Sequence, residues 1–560
     1  MRKTRWGHRA LRKLFNFIPP KCLTASSSWQ WLRRYPAIIP AAECFTVWNQ
    51  TADTFPDYQR WFKDHGLQTL DDWSLLQQKS GQWQVPPKIS IVTPVYNTQS
   101  DVLYECIISV RAQAYPYWQF ILVDDGSADL ETLNLLKSAV CLDPRISVYF
   151  NQESEGISKA TNTGIEKTTG DYVVFLDHDD RLSLDALYFI AKEIQQHPEV
   201  DIVYSDRDMI SPEGRHFMHL FKPDWSPDTL LSGNYIFHLM CYRRSLLNQL
   251  GGCRSELDGS QDYDLILRAS ETQPQVRHIQ KVLYHWRQYQ GSVSLDSNAK
   301  DYAFKAGVEA LNQALKRRGI AGKATEIKTL WRGNYQLDLV CPDISEIEVI
   351  TLDSAIAMDD YVASINKSLE QAATDKPYIA LLSESLTPVT GNALCHLAAW
   401  TSMKDVGLAC GCIITAENLI EYAGATYNDE GEVLFPYQGY SVDEAGYMAV
   451  TRLARNISVP HPYCVVIRRD LWQQLNGLNS DYRGGYALLD FALRALAENW
   501  RSVSVPQAQF VNHKPDLLAN YNERDKQLFC QQWQPWLLQG DPYYNKNMHS
   551  SSQDKLYHLT

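Results

Sequence analysis

From residue 88 onward the chain alternates short apolar runs with amphipathic stretches. "ISIVTPVY" from 89 is an apolar, β-rich run, 101–114 carries apolar positions at helical spacing, and "FILVDDGS" from 120 is a second strand closed by turn residues. A helix over 129–140, a strand at "ISVYF" from 146, a helix over 157–168 and the strand "DYVVFL" from 171 come next in order. Such alternation predicts βαβ units and a mostly parallel sheet, whose ligands bind beyond the carboxyl ends of the strands.

Two acidic groups fall at that edge. Asp124 and Asp125 end one strand, and Asp177, His178, Asp179 and Asp180 come directly after another. Carboxylates this close repel one another, so they mark either a solvated turn or a cation site, where bound charge cancels the repulsion. Mg2+ and Mn2+ favour carboxylate oxygen and bridge it to substrate phosphates, which suits a diphosphate-bearing ligand. The chain has no Gly-rich P-loop at these strands to serve that purpose.

In order, "ISIVTPVYN", "ILVDDGSAD", "GISKATNTGI", "VVFLDHDD" and "GSQDYDLILR" resemble the inverting family 2 glycosyltransferases of GT-A fold, over about 88–290. "FKPDWSPDTLLSGNYI" and "VRHIQKVLYHWR" resemble the bacterial subgroup that builds surface polysaccharide, including O-antigen enzymes and rhamnosyltransferases. The resemblance implies a nucleotide-diphospho-sugar donor, a saccharide or lipid-linked acceptor, and Mn2+ or Mg2+. By the same resemblance Pro94, Tyr96 and Asp125 flank the donor's base and ribose with Asn162 nearby. Asp177 and Asp179 form the D-x-D pair, Asp179 holding the metal most directly, and His285 is the late histidine near the metal. Asp262 is the catalytic base. The family's acidic motif reads Glu-Asp, whereas here Gln261 precedes Asp262 and leaves it without an acidic neighbour.

The second half partly repeats the first. "YRRSLLNQLGGCRSELDGSQDYDLILRA" from 242 pairs with "IRRDLWQQLNGLNSDYRGGYALLDFALRA" from 467, setting Leu488 against Asp262; upstream, Ser383 and Ser385 stand against Asp177 and Asp179. His513 falls where His285 would, but without the carboxylates. The expected organisation is a basic arm and helical lead-in over 1–85, a GT-A catalytic domain over 86–300, and a linker helix over 301–335. A degenerate GT-A-like domain over 336–515 and a tail over 516–560 complete it. In the linker, Val308, Leu311 and Leu315 form one stripe and Gly319 the stop.

Charge adds one feature. Residues 1–42 hold nine Lys or Arg and no acid; taking these from the net −12 leaves −21 on the remainder. Interleaved aromatics suit such an arm to an anionic membrane surface, and a solvated leader is the alternative. The acidic remainder argues against nucleic acid. The 12 cysteines show no C-x-x-C spacing and no apolar stretch reaches bilayer length, so the expected place is the cytoplasm, at most peripheral to the inner face of the membrane. Two other functions compete with sugar transfer. A non-catalytic binding module would have lost the first half's acids, which are intact, and a nucleotidyltransferase would carry a Gly- and Arg-containing loop where "TPVYNTQ" stands.

Overall fold

The computed structural model describes residues 40–41, 44–45, 56–67, 69–288, 301–352, 361–372, 375–514 and 521–548. Most of the basic arm therefore lies outside the described residues.

The first domain is built on strands β1 (Ile89–Val95), β2 (Trp118–Asp124), β3 (Ile146–Phe150) and β4 (Tyr172–Phe175), all parallel. The helices between them, Ser100–Arg111, Leu130–Leu142 and Ile157–Glu166, begin and end close to where apolar spacing sets them. Asp129 caps the second, accepting from Thr132 N at 2.8 Å. Successive residues of a strand point to opposite faces, and both faces here are covered: Val92 and Ile121 enter one core, Ile91 and Phe120 another. Then β5 (Arg181–Leu182), β6 (Ile202–Ile210), β7 (His216–Leu220), β8 (Met240–Arg243) and β9 (Val276–Arg287) complete the order β3-β2-β1-β4-β8-β6-β9-β5, with β7 beside β6. The result is the mixed GT-A sheet that the resemblance implied.

The helix Asp301–Arg317 buries Leu311 and Leu315 against the helix Gln261–Ser270, and Gly319, at φ 67°, lets the chain turn out of it. The segment beyond this helix is more than a linker: β10 (Gly322–Glu326) and β11 (Tyr335–Leu339) form an antiparallel hairpin.

The second domain contains β12 (Ile347–Leu352), β13 (Tyr378–Ser383), β14 (Leu386–Pro388), β15 (Val406–Ile414), β16 (Ile420–Tyr422), the pair β17 (Thr426–Tyr427) and β18 (Val433–Leu434), β19 (Arg455–Ile457), β20 (Cys464–Arg468) and β21 (Arg501–Asn512). Its order β12-β13-β20-β15-β21-β14 reproduces β1-β4-β8-β6-β9-β5 strand for strand, with the same parallel and antiparallel senses. Among the described residues nothing corresponds to β3 or to β2, the strand that ends at Asp124 just before Asp125.

The repeat extends to individual hydrogen bonds. Arg268 bonds Asp264, Leu250 O (2.7 Å) and Gly252 O (2.6 Å), and Arg494 bonds Asp490, Leu475 O (2.8 Å) and Gly477 O (3.0 Å). Leu488, opposite Asp262 in the repeat, is wholly buried, and Ser383 and Ser385 are buried and bonded to each other at 3.0 Å. One expected pairing is wrong. Arg181 pairs with His285 across β5 and β9, and its equivalent Thr387 pairs with Val511, so His513 stands two residues farther on, level with Arg287. A count along the sequence agrees with the structure, because Arg268 and Arg494 lie as far apart as His285 and Val511.

The domains are tied by buried polar contacts. Arg501 bonds Asp228 at 2.6 Å, Asn456 bonds the same carboxylate at 2.7 Å, and Tyr447 Oη accepts from Phe221 N at 2.7 Å. The region expected as a tail carries the helix Glu523–Gln539, packed on the helix Tyr486–Ala497, and returns to the first domain, where Asn545 bonds Asp206 at 3.0 Å. Among the described residues no helix is long and apolar enough to cross a membrane.

Candidate active site

Because β1, β2 and β4 run parallel, their carboxyl ends open onto one cleft of about 1240 Å3, lined by Pro94, Tyr96, Asp125, Asp177, Asp179 and Asp262 among others. Six of the eight residues expected from the sequence are thus brought together. Asn97 joins the strand ends, its Oδ1 accepting from Ala128 N (2.8 Å) and Asp129 N (3.1 Å), which fixes half-exposed Tyr96 at the rim.

Asp125 is held by four donors: Asn151, Ser154, Glu155 N and Gly156 N, at 2.8–3.1 Å. Burial pushes its pKa up, but these hydrogen bonds outweigh it and the carboxyl titrates below the usual range. It therefore fixes the loop 151–156 as well as facing the cleft. Asp180 is an anchor, accepting from Tyr284 Oη at 2.5 Å and Arg287 N at 2.7 Å, which holds the D-x-D turn against β9. Burial, then Asp179 and Asp177, raise its pKa well above the ordinary value.

Asp262 sits in the first turn of the helix Gln261–Ser270, accepting from Asn234 Nδ2 at 3.0 Å and Tyr263 N at 2.8 Å. Burial raises its pKa above that of an ordinary aspartate, so the tuning comes from the surroundings and needs no acidic neighbour. Gln261 accepts from Gly259 N at 2.8 Å, closing the turn before the helix.

Two expected residues are not brought to the cleft. Both ends of the Asn162 amide are committed to Cys253, donating to its carbonyl and accepting from its N–H at 2.8 Å each. His285 faces away because side chains alternate along β9: Trp286 lines the cleft, and His285 Nδ1 meets Asp208 at 2.6 Å, beside His216.

Two histidines stand at the D-x-D: His178 within it, its Nδ1 4.0 Å from Asp179 Oδ1, and His238, whose Nε2 lies 3.6 Å from Asp177 Oδ2 and whose ring stacks on Tyr284. Ligand atoms of Asp177, Asp180 and His238 all lie within 4.8 Å of one another. Burial, then Arg207 and Lys222, depress the His238 pKa well below the usual value, leaving a neutral imidazole suited to a cation. The carboxylates of Asp177 and Asp180 with this ring fit Mn2+ or Mg2+ in donor chemistry, and Asp179 lines the cleft next to them in the chain.

Residues 90–251 match the sequence profile of Glycosyl transferase family 2. The chain carries a family 2 glycosyl transferase domain. Beyond this transferase domain the likeness runs on through the second half: identity to the O-antigen biosynthesis protein RfbC of Myxococcus xanthus is 29% over 526 residues, covering 84% of this chain and 41% of that protein. Identity is also 29% with the uncharacterized protein y4gI of Sinorhizobium fredii, over 82% of this chain and 58% of the relative. The chain thus spans about half the length of these relatives. Among solved structures, the mannosyltransferase PcManGT of Pyrobaculum calidifontis, in complex with GDP-Man and Mn2+, is similar at 18% identity and a TM-score of 0.33, over 44% of this chain and 75% of that one.

The loop that carries His238 in the transferase domain is set by one buried lysine, Lys222. Lys222 Nζ lies within hydrogen-bond distance of the carbonyls of Ser205 (2.6 Å), Ile236 (3.1 Å), Phe237 (3.0 Å) and His238 (2.6 Å), among which its N–H groups are shared. Sequence reading passed over Lys222, His238 and Asn234, though "FKPDWSPDTLLSGNYI" contains two of them and His238 comes shortly after. Lys222→Met should leave these carbonyls unpaired and cost about 3 kcal/mol or more. A lowered urea midpoint with reduced activity is expected; an unchanged midpoint would contradict this role.

Proposed function

We propose that this protein transfers a sugar, with inversion, from a nucleotide-diphospho-sugar to a saccharide or lipid-linked saccharide acceptor in bacterial surface polysaccharide synthesis. The observation that carries this reading is that the half-buried Asp262 and the D-x-D carboxylates line one cleft. Pro94 and Tyr96 flank the donor's base and Asp125 its ribose. Asp177 and Asp179 would hold Mn2+ or Mg2+, with His238 in place of His285 as the neighbouring histidine. A metal bound there would offset the negative charge that develops on the departing diphosphate.

An acceptor hydroxyl is a weak nucleophile at neutral pH, so Asp262 takes its proton as the oxygen bonds to the anomeric carbon. The bond from that carbon to the diphosphate breaks in the same step, its electron pair leaving with the nucleotide, and a single displacement inverts the centre. Asn234 orients the Asp262 carboxylate. The far wall of the cleft, made by Tyr302, Phe304, Trp331 and Tyr335 with Tyr447 and Asn456 of the second domain, receives the acceptor. Sugar faces pack on aromatic rings of this kind, so the degenerate domain contributes to acceptor recognition without chemistry of its own. The basic arm suits a place at an anionic membrane surface, where lipid-linked acceptors reside.

The test is a panel of UDP-, GDP- and dTDP-sugars with the purified chain and Mn2+ or Mg2+. Metal-dependent release of a nucleoside diphosphate is expected from at least one, and an acceptor product of opposite anomeric configuration. A retained configuration would overturn the single displacement; release from none would overturn the transferase reading.

A further inference from the structure

Arg207 on β6 lines the cleft although only 6% of it is exposed. Its guanidinium lies between two rings, 4.7 Å from the centroid of Phe237 and 4.5 Å from that of Trp286. The rings hold the group in one plane but supply no counter-charge.

Among the described residues, its Nε is buried without a hydrogen-bond partner, and no carboxylate comes within ion-pair distance of the guanidinium. The nearby acids are engaged elsewhere. Asp180 accepts from Tyr284 and Arg287, and Asp208 from Tyr58, His216 and His285. Other buried basic side chains around the cleft have partners: Lys222 is shared among four carbonyls, Arg287 binds Glu105 and the Asp179 carbonyl, and Arg455 binds the carbonyls of Val450 and Ala423. Burial lowers the Arg207 pKa to about 10, so the group stays charged at neutral pH.

A buried charge is costly unless it is paired. A cation fixed in plane and facing a substrate cleft is placed to have its partner supplied by a ligand. We propose that Arg207 pairs with an anionic oxygen group of the substrates, a phosphate or a carboxylate, between the D-x-D carboxylates and the second-domain wall. This rests on the transferase reading above and adds a recognition residue to it. A planar guanidinium donates two parallel N–H groups to either anion, which a lysine ammonium does not reproduce. Two sources offer this chemistry: the donor's diphosphate, and an acidic sugar on the acceptor side.

Arg207→Met and Arg207→Lys separate the possibilities. Calorimetric titration with UDP, GDP and dTDP, each with Mn2+, reads the first source, and inhibition of nucleotide-sugar hydrolysis by D-glucuronate reads the second. At least a ten-fold loss in Arg207→Met is expected in one of them, with Arg207→Lys recovering only part. Loss of nucleotide binding assigns the diphosphate, and loss of glucuronate inhibition alone assigns an acidic sugar. The Met variant should melt at or above the wild-type temperature, because an unpaired buried charge has been removed. Both measurements unchanged, or a lower melting temperature with unchanged binding, would overturn the assignment while leaving the transferase reading intact. Wild-type protein that neither binds any of the nucleotides with Mn2+ nor hydrolyses a nucleotide-sugar would overturn both.

Discussion

Replacing Asp262 by Asn should lower turnover by about 100- to 10,000-fold, the range a positioned general base contributes, while donor affinity stays near wild type. The amide fills the same space and still accepts from Asn234, but takes no proton from the acceptor. The pH profile gives a second readout. The base works only when ionised, and burial raises its pKa above the 3.8 of an ordinary aspartate, so the acidic limb of kcat/KM should fall at a correspondingly higher pH. That limb should vanish in the Asn variant. Turnover within a few-fold of wild type, or an unchanged acidic limb, would remove Asp262 from the chemistry.

The second large effect is expected from Asp177→Ala and Asp179→Ala. Each removes a cleft carboxylate just beyond the end of β4, Asp177 beside His238 and Asp179 beside His178, and each should cost about 100- to 1000-fold in turnover, as loss of an electrostatic contact to developing charge does. Excess Mn2+ should restore part of the activity in a single variant, because one carboxylate and the histidine remain. Ser385→Ala, the equivalent change in the second domain, should leave turnover unchanged, since Ser385 is buried and engaged only with its own neighbours. Equal losses from Asp179→Ala and Ser385→Ala would mean that the two halves share the chemistry.

Much of this site was legible because strand ends are legible. A strand stops where apolar residues give way to charge, so the pattern alone sets Asp125, Asp177 and Asp179 at one edge. The degenerate half was legible for a similar reason: Arg268 and Arg494 keep the same carbonyl partners, so their surrounding sequence is kept and Leu488 is conspicuous opposite Asp262. Alternation along β9 could have corrected His285, since a choice of Trp286 as cleft-facing sends its neighbour the other way. His238 had no comparable signal. Its position depends on Lys222 gathering carbonyls from a loop and a neighbouring strand, a long-range arrangement without periodicity. The hairpin β10–β11 was hidden too, because a stretch that reads as a connector reveals nothing of the cleft it borders.

One measurement tests the central claim of a single, metal-dependent donor site in the first domain: the stoichiometry of nucleoside diphosphate binding to the full chain with Mn2+, by calorimetric titration. One equivalent per chain is expected, absent without metal, absent in the Asp177→Ala/Asp179→Ala double variant and unchanged in Ser383→Ala/Ser385→Ala. Two equivalents, or one that survives the aspartate changes, would contradict it.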